Sequence, residues 1–316
     1  MSLIDLIIPY YNNRIGLLNT LKSINTDIFK ITVIDDHSTE TPIIDNSVAQ
    51  VFRYNINSGP GYARQLGINK TNNPYIMFID TGDIFISKEI QEKIANVIQA
   101  NPEANMIVFN YYYQDKLTSN TDNRMHGKVY KRAFLEKYNI TFCPSSSYMD
   151  EDIGFNRACR ICTESELQPI VYMPNPIIRW IEDSNSLTKK DNNVALYRDQ
   201  TRALSLVSIH AIETCRKNNI NPTRIEIEME QIAIGLYYWF IRTAAERPEY
   251  IQEAWTGAKI FYDYYRKEIK PNTLYIGTKF IKKCAEYRDK IAFPINVLRF
   301  VHDIQLNEII PNNYLT

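Results

Sequence analysis

Tyr75-Ile76-Met77-Phe78-Ile79-Asp80-Thr81-Gly82-Asp83-Ile84-Phe85 is the stretch from which the rest of the chain can be read. It begins with a continuous apolar run, the pattern of a buried strand, and stops on two carboxylates split by a turn dipeptide. Burying ionised carboxylates is costly unless a cation or a chemical task sits beside them, so the segment reads as the edge of an active site. With Asp80 first and Asp83 fourth in a tight turn, and Gly82 where positive φ is needed, the two Cα atoms lie within about 7 Å. Carboxylates that close repel unless they share a proton or a cation. A solvent-facing turn rich in Asp and Gly is the plain structural alternative.

Upstream, Leu3-Ile4-Asp5-Leu6-Ile7-Ile8-Pro9 is a short apolar strand followed by the polar loop Tyr10-Tyr11-Asn12-Asn13. Leu17, Leu18, Leu21 and Ile24 recur at helical spacing, as in a crossover helix. Ile31-Thr32-Val33-Ile34 is a second strand and also stops on acids, Asp35-Asp36. Strands separated by helices, with polar residues at their C-terminal ends, predict an open and mostly parallel α/β sheet whose ligand crevice lies beyond those ends. Asn57 to Asn69 contains a glycine loop, Gly59-Pro60-Gly61, then a helix start carrying Arg64. Backbone N–H groups and an arginine there suit phosphates, although Arg64 also fits a structural ion pair. It is no dinucleotide fingerprint, because the first strand is followed by Tyr10-Tyr11-Asn12 and not by glycines.

Downstream, Ile90, Ile94, Val97 and Ile98 predict an amphipathic helix, and Met106 to Phe109 a further strand. Lys116 to Arg124 reads as an exposed loop able to close over a ligand. His126-Gly127-Lys128-Val129-Tyr130 leads into a helix from Ala133 to Tyr138. Asp150-Glu151-Asp152 places three acids ahead of another helix, more than capping and dipole effects of about 0.3–1 kcal/mol each call for. Ile170 to Trp180 holds the last strands of the core, and Glu182 to Ser186 a polar loop. From about Val194 the pattern becomes long helical periodicity, as in Ile225 to Arg242. The expected division is therefore residues 1–190 and a mainly helical 191–316.

The chain of 316 residues is long enough for a substantial core, and its 36 Lys+Arg balance 36 Asp+Glu, so no global charge demands a polyanionic partner. No apolar run approaches the ~20 residues needed to cross a bilayer, and Met1-Ser2-Leu3 lacks a basic leader, which makes a cytoplasmic protein the expectation. Five scattered cysteines argue against a disulfide scaffold, and Cys159-Arg-Ile-Cys162 has half-zinc-site spacing without a second pair. Between Trp255 and Arg299, ten basic residues stand against four acidic ones, interleaved with Tyr and Phe. That segment suits either a solvated helix face or contact with an acidic surface such as the inner face of a membrane or nucleic acid.

In order, these blocks resemble the family-2 glycosyltransferases of the GT-A fold, inverting enzymes with nucleotide-sugar donors. Pro9-Tyr10-Tyr11-Asn12 resembles the first-strand loop of that family, Val33 to Thr39 its V-D-D-x-S block, and Asn57 to Gly67 its N-x-G-x-x-x-A-R-N-x-G block. Asp80-Thr81-Gly82-Asp83 stands at the D-x-D-D metal motif, His126 to Tyr130 at the acceptor-side strand, and Glu151-Asp152 at the E-D base motif. The resemblance covers about the first 190 residues.

The resemblance implies a GT-A-type sheet flanked by helices with a helical C-terminal appendage, and a reaction moving a sugar from a UDP-sugar to an acceptor hydroxyl. It implies donor binding by Pro9, Tyr10, Tyr11, Asn12, Asp36, Gly59, Arg64 and Asp80, with Asp80 and Asp83 holding Mn2+ or Mg2+. Asp152 would be the general base beside Glu151, with His126, Gly127 and Trp180 on the acceptor side. The implied acceptor is a glycan or a lipid-linked glycan, with a hydroxylated base in DNA as a variant. Two departures stand out: Gly82 replaces the usual second Asp of D-x-D, and Gln65 replaces an Asn. Gly82 motivates the alternative of a non-catalytic sugar-nucleotide or partner-binding module. Asp80-Thr81-Gly82 also spells the D-T-G of aspartic proteases, but their second copy is missing here.

Overall fold

The structure is a computed structural model that describes residues 3–119, 124–146, 149–167, 170–181 and 194–268, together with 286 and 290. Glu182 to Ser186, and most of the basic segment beyond Glu268, lie outside the described residues. The chain divides into two compact units, Met1–Ser184 and Asn185–Thr316. Among the described residues no helix is long and apolar enough to cross a membrane.

The first unit is built on a nine-stranded open sheet. Its first strand is β1 (Ile4–Tyr10), an interior strand whose residues are buried apart from a half-buried Pro9. β1 pairs in parallel with β2 (Phe29–Asp35) on one side and with β4 (Tyr75–Phe78) on the other, while β3 (Gln50–Arg53) extends β2, again in parallel. Helix α1 (Arg14–Ser23) connects β1 to β2, and α2 (Pro60–Lys70) connects β3 to β4. In α1 the helical stripe is real but narrower than the sequence suggests: Leu17 and Ile24 are buried, whereas Leu18 faces solvent. Gly67 lets α2 lie close on the sheet, since a Cβ there would stand 2.3 Å from Ile7 Cγ2.

The parallel pattern belongs to these first four strands, and the other half of the sheet is mixed. β4 pairs antiparallel with β8 (Lys128–Lys131), which pairs antiparallel with β6 (Met106–Tyr113). β9 (Val171–Trp180) runs parallel to β6, with register shifts on either side of Asn110, and β5 (Ile84–Phe85) closes the edge antiparallel to β9. Part of the expected exposed loop is instead a strand, β7 (Lys116–Thr118), paired with Tyr111–Tyr113. The connecting Gln114 and Asp115 both have positive φ, 48° and 59°, as two-residue hairpin turns require. Helices α3 (Lys88–Ala100), α4 (Arg132–Lys137) and α5 (Glu151–Ser165) complete the unit. Cys159 and Cys162 are buried thiols of α5.

The second unit is helical, as expected: α6 (Val194–Arg198), α7 (Gln200–Lys217), α8 (Pro222–Glu246), a 3-10 turn at Pro248–Tyr250 and α9 (Ile251–Glu268). Helices α7 and α9 approach through Gly257, where a Cβ would be 2.6 Å from the Arg202 backbone nitrogen. Thr201 and Ser205 hydroxyls donate to the Ala254 and Gly257 carbonyls at 2.7 and 2.9 Å across this contact. Tyr237, Phe240, Phe261, Tyr262 and Tyr265 fill the core beside it.

Candidate active site

The turn after β4 has the predicted form. The Asp83 N–H donates to the Asp80 carbonyl at 3.0 Å, and Gly82 sits at φ 106°. Neighbouring elements fix it: the Thr81 hydroxyl donates to the Pro9 carbonyl at 2.7 Å, and the Gly82 N–H donates to the Thr20 hydroxyl at 2.9 Å. Thr20 lies on α1 and is fully buried. Sequence reasoning missed it; a polar residue on the inward side of an otherwise apolar helix was the available signal.

The two carboxylates are presented differently. Asp80 is half-exposed and takes Arg64 Nη2 on its Oδ1 at 2.6 Å. Burial raises its pKa, but Arg64 and then His126 outweigh that and hold the carboxyl below its ordinary value. Asp83 is buried and accepts the Ile181 N–H at 3.0 Å on Oδ1, while its Oδ2 lies 3.2 Å from His126 Nδ1. Burial pushes Asp83 up, opposed by His126 and reinforced by Asp80. Burial lowers His126, yet Asp83, with Asp80 and Asp152 behind it, raises it overall.

Asp80, Asp83 and His126 each offer a ligand atom, and the three atoms lie within 4.8 Å of one another. Asp83 Oδ2 is buried, with His126 Nδ1 3.2 Å away. A divalent cation fits this set: two carboxylate oxygens and an imidazole nitrogen, with the buried Asp83 Oδ2 turned toward His126. The resemblance implies an acceptor-side place for His126; its ring lies between Asp83 and Trp180.

Around His126 stands an aromatic cluster. The Trp180 ring stacks on His126 with centroids 4.8 Å apart, Tyr113 lies 4.5 Å from Trp180, and Tyr111 lies 5.3 Å from His126. The exposed Arg124 guanidinium is 5.2 Å from the Trp180 ring. Gly127, at φ 66°, gives its carbonyl to the Phe109 N–H at 2.8 Å and so ties this segment to β6.

At the start of α5, Glu151 is buried and bound to Arg64 Nη1 at 2.5 Å. Burial pushes it up to about 7, Arg64 opposing and Asp152 adding. Asp152 is only half-buried; its Oδ1 accepts the Ile153 N–H at 2.8 Å. Its carboxyl is raised by burial, against the pull of Arg64, His126 and Arg124. The Asn156 side chain donates to the Asp152 carbonyl at 3.0 Å and the Arg124 carbonyl at 3.2 Å, and accepts the Tyr130 hydroxyl at 2.6 Å.

The loops after β1 and β2 are tied to each other. The Asn12 amide oxygen accepts the Thr39 N–H at 2.8 Å, and the Asn12 N–H donates to the Ser38 hydroxyl at 2.9 Å. Tyr10 is buried, whereas Tyr11 is exposed. Both oxygens of Asp36 are engaged, by the Ser58 N–H at 2.8 Å and the Gly59 N–H at 2.7 Å, which anchors the loop opening α2. Gly59 takes φ 88° to make that approach. Gln65 accepts the Phe142 N–H at 2.9 Å, so its extra length reaches the segment before α5.

The sequence profile described as Glycosyl transferase family 2 matches residues 5–151. Over these residues the chain is similar to the family 2 glycosyltransferases. It is also similar to an uncharacterized glycosyltransferase of Haemophilus influenzae, 28% identical over 111 residues, 33% of this chain and 37% of the relative. A second from the same organism is 30% identical over 110 residues, 31% of this chain and 44% of the relative. The chain thus spans less than half the length of these relatives. Among solved structures, the crystal structure of S. aureus TarS 1-349 in complex with UDP superposes with a TM-score of 0.57 at 15% identity, covering 99% of this chain and 89% of that one. The same TarS segment in complex with UDP-GlcNAc gives 0.57 at 14% identity with the same coverage. The fold is therefore that of the GT-A enzymes. The family 2 match ends at Glu151, one residue before Asp152 and well before Trp180.

Proposed function

We propose that this chain is an inverting glycosyltransferase that moves a sugar from a UDP-sugar to an acceptor hydroxyl. The observation that carries the proposal is the convergence of Asp80, Asp83 and His126 on one point, with Asp152 inside the same electrostatic cluster. The family match over residues 5–151 and the fold shared with UDP and UDP-GlcNAc complexes support the donor class.

In this reading Asp80, Asp83 and His126 hold Mn2+ or Mg2+, which when bound supplies charge stabilisation for the departing diphosphate. The imidazole favours Mn2+ over Mg2+, because Mg2+ keeps to oxygen ligands. Asp152 accepts the proton of the acceptor hydroxyl as that oxygen attacks the anomeric carbon. The bond from the anomeric carbon to the diphosphate oxygen breaks on the opposite face, and configuration inverts. A raised carboxyl pKa suits this task, since a base nearer the working pH transfers protons more effectively. Trp180, stacked on His126, and Tyr113, packed against Trp180, form an aromatic cluster suited to an acceptor sugar of a glycan or lipid-linked glycan.

The test is a thermal-shift screen of nucleotide sugars with and without Mn2+. A ligand bound only by the native state raises the melting temperature, by an amount set by its concentration relative to Kd. A UDP-sugar is expected to raise it, more strongly with Mn2+ than with EDTA. Absence of a shift with every nucleotide sugar would refute the donor-binding reading.

A further inference from the structure

Arg64 of α2 is 3% exposed, and its guanidinium is divided between two acids from different elements. Nη2 is bound to Asp80, just after β4, at 2.6 Å, and Nη1 to Glu151, in the first turn of α5, at 2.5 Å. Its Nε is buried without a hydrogen-bond partner. A guanidinium binds a single carboxylate best as a bidentate fork. Here it makes one bond to each of two carboxylates, an arrangement able to shift toward either acid as the charge on the other is taken up. One of those acids is a ligand of the proposed cation site, and the other is the chain neighbour of the proposed base.

We infer that Arg64 is a positioning residue that gives up its hold on Asp80 in favour of Glu151 when a divalent cation occupies the Asp80, Asp83 and His126 site, so that cation occupancy is relayed to the end of α5 carrying Asp152. The inference rests on the cation site of the proposed function. Its basis is competition: a guanidinium and a metal ion on the same carboxylate repel each other, and each weakens the other's binding. Such coupling is reciprocal. Removing the charge of Arg64 therefore favours the cation, whereas removing the charge of Glu151 returns Arg64 to Asp80 and disfavours it.

The experiment is titration of nucleotide-free protein with Mn2+, following the free ion by electron paramagnetic resonance, with folding of each variant checked by thermal melting. Arg64→Gln should lower the Mn2+ Kd by about fivefold to a hundredfold, the usual range of such couplings, and Glu151→Gln should raise it. In the double variant the Glu151→Gln effect should shrink to less than about twofold, because it acts through Arg64. Weaker Mn2+ binding by Arg64→Gln, as a merely structural residue would give, overturns the inference, and so do additive effects in the double variant. If Arg64→Gln does not fold, Arg64→Lys replaces it: a single ammonium does not span both acids, so Glu151→Gln in that background should again have little effect, and an undiminished effect overturns the inference. Failure of the wild type to bind Mn2+, with UDP-sugar shifts retained, overturns this inference and the cation site while leaving sugar-nucleotide binding in place.

Discussion

Gly82→Ala probes the turn that presents the two carboxylates, and its effect follows from the local geometry. A Cβ at Gly82 would meet nothing closer than Asn13 Nδ2 at 3.9 Å, so no clash contributes. What remains is conformational: φ is 106°, where an L side chain is strained by about 1–2 kcal/mol. The smaller conformational entropy of the unfolded alanine chain offsets about 0.4–1 kcal/mol of that. The net loss is then roughly 0.5–1.5 kcal/mol, and at about 2–4 °C per kcal/mol for a unit of this size the melting temperature should fall by some 1–6 °C. Differential scanning calorimetry of the protein in EDTA gives the number. Titration with Mn2+ should in addition show weaker binding, because relaxing the turn separates Asp80 from Asp83. An unchanged or raised melting temperature would mean that Gly82 does not hold positive φ in solution, and the geometric argument for the site would fail with it.

Three further outcomes are expected. Thr20→Val keeps the shape but leaves the Gly82 N–H without its acceptor, which should cost about 1–3 kcal/mol in chemical denaturation, whereas a neutral result would show that the turn is held without it. His126→Ala should abolish Mn2+-dependent tightening of UDP binding in calorimetry, while tightening as strong as in the wild type would remove the imidazole from the cation site. The pH dependence of stability follows from Glu151, whose folded pKa of about 7 lies above its ordinary 4.5. Because the folded state binds that proton more tightly, the stability it contributes is fully present below about 4.5 and is lost as pH rises through 7. In EDTA the wild type should therefore melt higher at pH 5.5 than at pH 8, with a smaller difference in Glu151→Gln; equal slopes would mean that Arg64 keeps Glu151 ionised throughout.

The half of the fold that could be read ahead is the half made of local patterns. Apolar runs predicted β1, β2 and β4, the last two ending on acids, and the turn chemistry of Asp80 to Asp83 predicted a positive φ at Gly82 that is present, with the Asp83 N–H closing the turn on the Asp80 carbonyl. The mixed half depends on long-range pairing, which leaves little trace in the sequence: β5 is two residues long, β7 hides in a polar segment, and β9 changes register at Asn110. The site divides in the same way. Its carboxylates were visible as residue types, but not the partner each would choose. The resemblance casts Asp36 as a donor-binding acid, and the structure adds that its oxygens hold the Ser58 and Gly59 amides, a role its residue type does not reveal. Arg64 was open to a phosphate or an ion-pair reading and makes two ion pairs. Gly82, which as a sequence feature weakened the metal assignment, is what allows Asp83 to turn inward to His126.

The central claim is sugar transfer with Asp152 as base, and the most direct measurement is UDP release from a panel of UDP-sugars by wild type and Asp152→Asn in Mn2+. The account predicts turnover by the wild type and a loss of about 10²–10⁴-fold in Asp152→Asn, the usual worth of a general base, with UDP binding nearly unchanged. Comparable turnover by the two proteins would contradict it.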